Sequence, residues 1–492
     1  MAEIASRTFE SILKEVITTF NVESLKPEQD IIVKSLLSKR DCLAVLPTGY
    51  GKSLPYQIYI PLVRELKKYE AELDHDRAGY EKFQFGENEK VVVCCPLLAL
   101  MEDQVKRLET VPGLRVGYKG SSPDVDAKIK SGEIDLIFAS PESLVGDAYW
   151  RAQMQQLAVG IIVIDEFHTI TTWGGDEETE EHNAFRKWFR CIGELRALFP
   201  KASILALSAT CTNKIKKRVT KMLNLKMEST TILSVSPNKS NVKLLVKQID
   251  NDITSSMFWL LDNLQRLKEN FPKLLIYANS ITDVAKLYNY MVTEVPECRN
   301  YLEMFHSETP ERKKTSIIQA LCKENSSIRI VFATSALGMG IDVMDCNGLI
   351  LYGPPKNVVD LVQEIGRVGR NGKLSCAVMM FNSQGLRNVE EDIKTIYREN
   401  KCRRKLVMQN FLQESELQEL SSECDKHTCC DVCSQKCACG NCEQLDIEKM
   451  VNFIQLQDNS GSEESDTDMT EPYEYLLMDD DDLLAELEDD NC

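Results

Sequence analysis

The chain has 492 residues, 43% of them hydrophobic and 27% charged, a net charge of −18 and no apolar run near the roughly 18 residues that a membrane span needs. That length exceeds one hydrophobic core and predicts two or three domains, while the charged start MAEIASRTFESILKE argues against a secretory leader, so a soluble intracellular protein with no membrane partner is expected. A nucleic-acid partner is not excluded by the charge, because 15 acidic residues from Asp458 onward, with no Lys or Arg among them, leave the remaining body at about −3.

In chain order, short apolar runs alternate with helical patterns. CLAVL, VVVCC, LIFAS, GIIVIDE and ILALSAT fall in the first half; KLLIYA, IRIVFAT, NGLILYG and AVMMF fall in the second. Runs apolar on both faces and separated by helices are what a parallel sheet covered on both sides requires. Two series imply two α/β domains, with the join near SVSPNKSN, Ser234 to Asn241. The expected boundaries are 1–235, 236–384, a helical cysteine-bearing module over 385–445 and an acidic, disordered tail over 446–492. The charged segment Glu65 to Lys90 reads as an inserted loop or helix extension.

The first strand runs into Pro47-Thr48-Gly49-Tyr50-Gly51-Lys52-Ser53. Leu46 stands where the strict phosphate-loop pattern wants glycine, yet the physical parts are present. Gly49 and Gly51 let backbone N–H groups turn toward a phosphate, Lys52 brings a point charge for the β and γ phosphates, and the Ser53 hydroxyl suits Mg²⁺. Farther on, the strand IIVIDEFH ends in Asp165-Glu166, one carboxylate to hold the metal and the next to orient or deprotonate an attacking water. Together these point to ATP hydrolysis. Such hydrolysis needs a charge-stabilising arginine, and QEIGRVGRNG offers Arg367 and Arg370, spaced to share one helical face in the second domain, where domain closure would complete the site. Between the carboxylate strand and the next helix, Trp173 lies in a glycine-flanked loop, fit either to stack on a base or to anchor the loop on its own domain.

Taken in order, PTGYGKS, PLLALMEDQV, DEFH, LSAT, VFATSALGMGID and QEIGRVGR resemble a superfamily 2 helicase, and within it the RecQ family, over roughly residues 20–443. The resemblance implies two tandem RecA-like parallel-sheet domains followed by a helical zinc-binding module. It further implies 3′ to 5′ translocation on single-stranded and tailed duplex DNA, in repair, recombination or replication. Gln29 would read the adenine, Thr48 and Asp342 would join the ATP site, and His168, Trp173 and Thr210 would couple DNA to hydrolysis. Glu177 and Glu178 replace the aromatic and arginine that the family places after Gly-x-Asp, so two carboxylates beside the DNA path should weaken stimulation by DNA.

Eight of the 18 cysteines fall between Cys402 and Cys442, a cluster that in a chain without a secretory signal reads as metal ligation. Cys430 and Cys433 form a Cys-x₂-Cys pair, and two further ligands would complete a closed structural Zn²⁺ site. The family pattern points to Cys402, Cys424, Cys430 and Cys433, with Cys429 or His427 as replacements for Cys424. Cys437, Cys439 and Cys442 offer a partial second site or incidental thiols. Arg403, Arg404 and Lys405 are placed either to touch phosphates or to form a solvated helix face.

After the cysteines too little chain remains for a winged helix, so unwinding is expected to be limited. The tail alternates acidic residues with Tyr, Leu and Met, a composition suited to a basic groove on a partner such as a single-stranded-DNA-binding protein, or simply to solubility. A nuclear location follows from the substrate; the run KIKKRVTK reads as a helix face. Two rivals stand beside the helicase reading: an RNA-dependent ATPase, and a DNA-stimulated ATPase that acts mainly as an adaptor through its tail.

Overall fold

The computed structural model describes residues 8–69, 83–84, 86–172, 187–323, 326–337, 343, 346–423, 425–438 and 451. The acidic tail and most of the inserted segment after residue 69 lie outside the described residues. Two compact units divide between Val235 and Ser236.

In the first unit, β1 (Cys42–Val45), β2 (Lys90–Cys94), β3 (Val116–Tyr118), β4 (Leu136–Ala139), β5 (Val159–Ile164), β6 (Ser203–Ser208) and β7 (Thr231–Ser234) form one sheet in the order β3-β4-β2-β5-β6-β1-β7. Every adjacent pair is parallel. In the second unit, β8 (Val242–Gln248), β9 (Lys273–Ala278), β10 (Leu302–Phe305), β11 (Ile330–Ala333), β12 (Cys346–Tyr352) and β13 (Ser375–Phe381) form a parallel sheet in the order β10-β11-β9-β12-β13-β8. Each is a RecA-like sheet with helices as crossovers, because parallel neighbours cannot be joined by a tight turn.

Interior strands are buried along their length: β1, β2, β4, β5 and β6 show no exposed position. Helices supply the covering layers with amphipathic faces. The helix Phe9–Thr18 buries Phe9, Ile12, Leu13, Val16 and Ile17, the spacing of one helical stripe, and its start is fixed by a reciprocal capping box between Thr8 and Ser11. Among the described residues no helix is long and apolar enough to cross a membrane.

A buried carboxylate braces the β3–β4 side of the first sheet. Asp135 is fully buried and meets Arg64 at 2.7 Å, Arg115 at 3.0 Å and Lys90 at 3.4 Å. Burial alone would raise its pKa; the hydrogen bonds from Arg115 and Arg64 outweigh that and hold the carboxyl below its ordinary range.

Beyond β13 the second unit is helical, with helices Glu391–Arg398, Arg403–Met408, Glu414–Glu423, Lys426–Cys429 and Asp431–Gln435. This module docks on β8, where Leu244 makes an isolated parallel bridge to Cys430 and Lys243 Nζ donates to the His427 carbonyl at 2.5 Å.

Candidate functional site

The loop after β1 turns sharply because Gly49 and Gly51 both take φ +84°, a region that side chains disfavour. Gly51 is constrained further, since a Cβ there would lie 2.5 Å from Gln29 Nε2. Gln29 is buried and clamps this loop: Nε2 donates to the carbonyls of Tyr50 at 3.1 Å and Gly51 at 3.0 Å, while Oε1 accepts from the Lys26 N–H at 2.9 Å. Tyr50 is held on the same side by a hydrogen bond to Glu28 and by Lys26 Nζ lying 4.1 Å from its ring centroid. Lys52 and Ser53 follow, partly exposed.

β5 delivers the carboxylates to the same end of the sheet. Asp165 N–H still bonds the Cys94 carbonyl at 3.0 Å, and the chain then turns, with Glu166 at φ +50° and its N–H on Asp165 Oδ1 at 3.0 Å. A non-glycine residue held in that region costs on the order of 1 kcal/mol, a strain typical of functional turns. Lys52 Nζ lies 3.4 Å from Glu166 Oε1 and so links the phosphate-type loop to the carboxylate strand.

His168 is buried, with Nδ1 2.9 Å from Ser208 Oγ and 3.3 Å from Glu166 Oε2. Ser208 Oγ donates to the Thr210 carbonyl at 2.8 Å and therefore accepts from the ring, which assigns the His168 proton to Nδ1. The Thr210 N–H returns to Ser208 Oγ at 3.3 Å. Burial, reinforced by the adjacent Glu166 charge, pushes Asp165 above the usual carboxylate range. Burial also acts to raise Glu166, but the Lys52 charge and the His168 side chain outweigh it and keep this carboxyl ionised. Glu166 Oε2 is buried, with His168 Nδ1 at 3.3 Å.

In the second unit, the helix Val358–Ile365 ends before the arginines. The expected shared helical face is thus corrected: Arg367 and Arg370 lie in the turn beyond the helix. Gly369 at φ +66° breaks the helical path, and a Cβ there would meet Asn241 Nδ2 at 2.7 Å. Lys239 Nζ donates to the carbonyls of Gly366 and Val368, each at 2.9 Å, and Asn241 Nδ2 donates to those of Gly369 at 2.8 Å and Lys373 at 2.9 Å. Arg367 is buried, and Arg370 Nε reaches the Gly366 carbonyl at 3.4 Å.

Sulfur atoms of Cys402, Cys429, Cys430 and Cys433 lie within 4.8 Å of one another, a set able to hold a metal ion. Cys429 thus stands in the cluster where the family pattern pointed to Cys424, which lies outside the described residues. A Cys-Cys pair at the junction of two short helices turns both sulfurs inward. Cys437 is not part of this group, and Cys439, Cys442, Trp173, Glu177, Glu178 and Asp342 are outside the described residues.

Neither expectation for Arg403 and Arg404 holds, since both are buried and hydrogen-bond within the chain. Arg403 pairs with Asp431 at 3.1 Å and bonds the Ile396 carbonyl at 2.7 Å. Arg404 donates to Asn238 Oδ1 at 2.8 Å and to the carbonyls of Lys239 and Val242, each at 2.6 Å, and of Cys429 at 3.3 Å. Only Lys405 of the three faces solvent. Lys239 and Asn241 escaped sequence reasoning, because a lysine and an asparagine in a turn-forming run carry no motif of their own; Ser208 lies within LSAT, where the resemblance gives a role to Thr210 alone.

Residues 26–218 match the DEAD/DEAH box helicase family and residues 256–372 match the helicase conserved C-terminal domain. ATP-dependent DNA helicase RecQ of Pasteurella multocida is 25% identical over 368 residues, covering 74% of this chain and 51% of its own length. The chain therefore carries both helicase domains and is similar to RecQ-type DNA helicases. The bifunctional 3′-5′ exonuclease/ATP-dependent helicase WRN of Mus musculus is 28% identical over 444 residues, which are 85% of this chain and 28% of that protein. The chain spans about half or less of the length of these two relatives. Among solved structures, the DUF1998 helicase MrfA bound to DNA superimposes with a TM-score of 0.59 at 17% identity, covering 84% of this chain and 60% of that one, a likeness of fold.

Proposed function

We propose that this chain is an ATP-dependent DNA helicase or translocase that moves 3′ to 5′ along single-stranded DNA and acts on tailed duplexes. The observation that carries the proposal is the convergence of Lys52, Asp165, Glu166 and His168 at one end of the first sheet. Similarity to the DNA helicase RecQ supports DNA as the substrate class.

In this reading Lys52 and the backbone of Gly49 to Ser53 bind the ATP phosphates, with Thr48 alongside. Gln29 sets the loop's shape through the Tyr50 and Gly51 carbonyls. Mg²⁺, held by Ser53 and Asp165, would neutralise developing phosphate charge. Glu166, kept ionised by Lys52 and His168, orients the attacking water and accepts its proton. Arg367 and Arg370 supply the positive charge that the transition state needs. His168, Ser208 and Thr210 relay the state of Glu166 to the strand that carries Ser-Ala-Thr, the link through which DNA contact would modulate hydrolysis.

The cysteine module fits zinc. Tetrahedral thiolate ligands at about 2.3 Å from zinc stand about 3.8 Å apart, in keeping with four sulfurs inside 4.8 Å and the 3.5 Å between Cys402 and Cys429. Four protein ligands close the site, so zinc there would order the module rather than catalyse.

The test is ATP-dependent strand displacement from duplex DNA bearing a 3′ tail, with a 5′ tail, an RNA substrate and Lys52→Ala as controls. Displacement from the 3′ tail alone, lost in the variant, is the expected result. DNA-stimulated hydrolysis without displacement would favour the adaptor reading, and stimulation by RNA alone would favour the RNA-dependent ATPase.

A further inference from the structure

The loop that carries Arg367 and Arg370 has no regular structure to hold it, yet its carbonyls are not left to solvent. Lys239 caps the C-terminal end of the helix Val358–Ile365 through the Gly366 carbonyl and reaches past it to the Val368 carbonyl, both at 2.9 Å. A cation at that place is favoured by the helix dipole and satisfies carbonyls that have no intrahelical partner. Asn241 continues the clamp at Gly369 and Lys373. The segment that bears Lys239 and Asn241 is itself gripped by Arg404, through Asn238 Oδ1 and the carbonyls of Lys239 and Val242. The same guanidinium bonds the carbonyl of Cys429, a member of the sulfur cluster, at 3.3 Å. Cys430, the next residue, bridges Leu244 on β8 and takes the Arg403 N–H on its sulfur at 3.4 Å. One chain of hydrogen bonds therefore runs from the cysteines through Arg404 and residues 238–242 to the arginine loop.

We infer that Lys239 is a positioning residue for the arginine loop and that Arg404 fastens this clamp to the cysteine module, so that the module sets the loop's geometry. The inference rests on the reading of Arg367 and Arg370 as the charge-stabilising pair. Lys239 Nζ donates to backbone carbonyls of this loop, and its effect is exerted through the loop. A misplacement of about 1 Å at a catalytic group is enough to cost up to about a hundredfold in rate, so a clamp on the backbone is a large lever.

The experiment uses the full chain and compares Lys239→Met, Lys239→Arg, Arg404→Lys, Arg367→Ala and Arg370→Ala. Each variant is read for kcat and KM of DNA-stimulated ATP hydrolysis, for zinc content, and for amide hydrogen exchange over residues 366–373. Lys239→Met keeps the length of the side chain but removes its donors. It should lower kcat at least about tenfold with KM for ATP within about twofold, leave zinc content unchanged and speed exchange in the loop. Lys239→Arg, which retains donors for both carbonyls, should restore kcat and protection. Arg404→Lys cannot serve all four acceptors and should loosen the same loop while zinc stays bound. Unchanged kcat in Lys239→Met, or a lowered kcat with unchanged loop exchange, would overturn the positioning role. Faster exchange in Lys239→Met but not in Arg404→Lys would remove the cysteine module from the proposal. Full hydrolysis in both arginine-to-alanine variants would instead remove the role given to the arginines, a failure of the underlying reading that the exchange data would show separately.

Discussion

His168 Nδ1 stands 2.9 Å from Ser208 Oγ, a bond between the turn that follows β5 and the last residue of β6. The ring proton is committed to that serine, which passes its own to the Thr210 carbonyl, so the histidine is fixed in tautomer as well as in place. Ser208→Ala should free the ring without touching Lys52 or either carboxylate. The expected outcome is a fall in kcat for ATP hydrolysis of about tenfold to a hundredfold with nucleotide affinity nearly unchanged, the scale seen when a supporting hydrogen bond to a functional histidine is lost. Steady-state hydrolysis beside nucleotide titration checks it; equal losses in both would contradict a supporting role.

Glu166 carries the heavier assignment. Glu166→Gln keeps the shape of the side chain but cannot take a proton, so hydrolysis should drop by at least about a hundredfold while ATP is still bound. Equilibrium binding of a non-hydrolysable analogue alongside single-turnover hydrolysis separates the two effects.

Asp135 gives a prediction about stability that is independent of catalysis. Replacing it by Asn leaves the buried Lys90 and two guanidiniums without their shared anion, which should cost about 3 kcal/mol in unfolding free energy. The sign with pH follows from a carboxyl whose folded pKa is depressed. Its contribution is complete above the unfolded value near about 4 and is lost as pH falls through the lower folded value. Denaturant unfolding of both proteins should therefore show a gap that is constant near neutrality and narrows below about pH 4.

The cysteine assignment predicts that Cys429→Ser loses bound zinc and melts the module, whereas Cys424→Ser retains zinc. Metal analysis of the two purified variants decides between them, and the reverse pattern would return Cys424 to the ligand set.

The strands legible in the sequence were those with neighbours on both sides. β1, β2, β4, β5 and β6 in the first sheet, and β9, β11, β12 and β13 in the second, appear as unbroken apolar runs because both faces are covered by helices. The four that escaped, β3, β7, β8 and β10, are the four sheet edges. They are short or interrupted by polar residues: β7 is only partly buried, and β8 carries Lys243, whose buried amine becomes tolerable only once the His427 carbonyl arrives from 184 residues away. At the site, Lys52, Asp165 and Glu166 were legible because their chemistry demands strand ends. Spacing misled over the arginines, since Arg367 and Arg370 suit a helix by count while Gly366 and Gly369 end it. Local spacing likewise could not rank Cys429 against Cys424; it is the turn between two short helices that brings Cys429 to the cluster.

β8 is also the outer strand of its sheet, and its free side is where the cysteine module packs through Leu244 and Cys430. An uncovered strand of that kind is a template on which a second molecule can add its own strand. Cys430→Ser, which removes a member of the sulfur cluster beside β8, would therefore do more than loosen a hydrogen-bond chain: it would bare an adhesive margin, and self-association during expression would be the first sign, ahead of any change in catalysis.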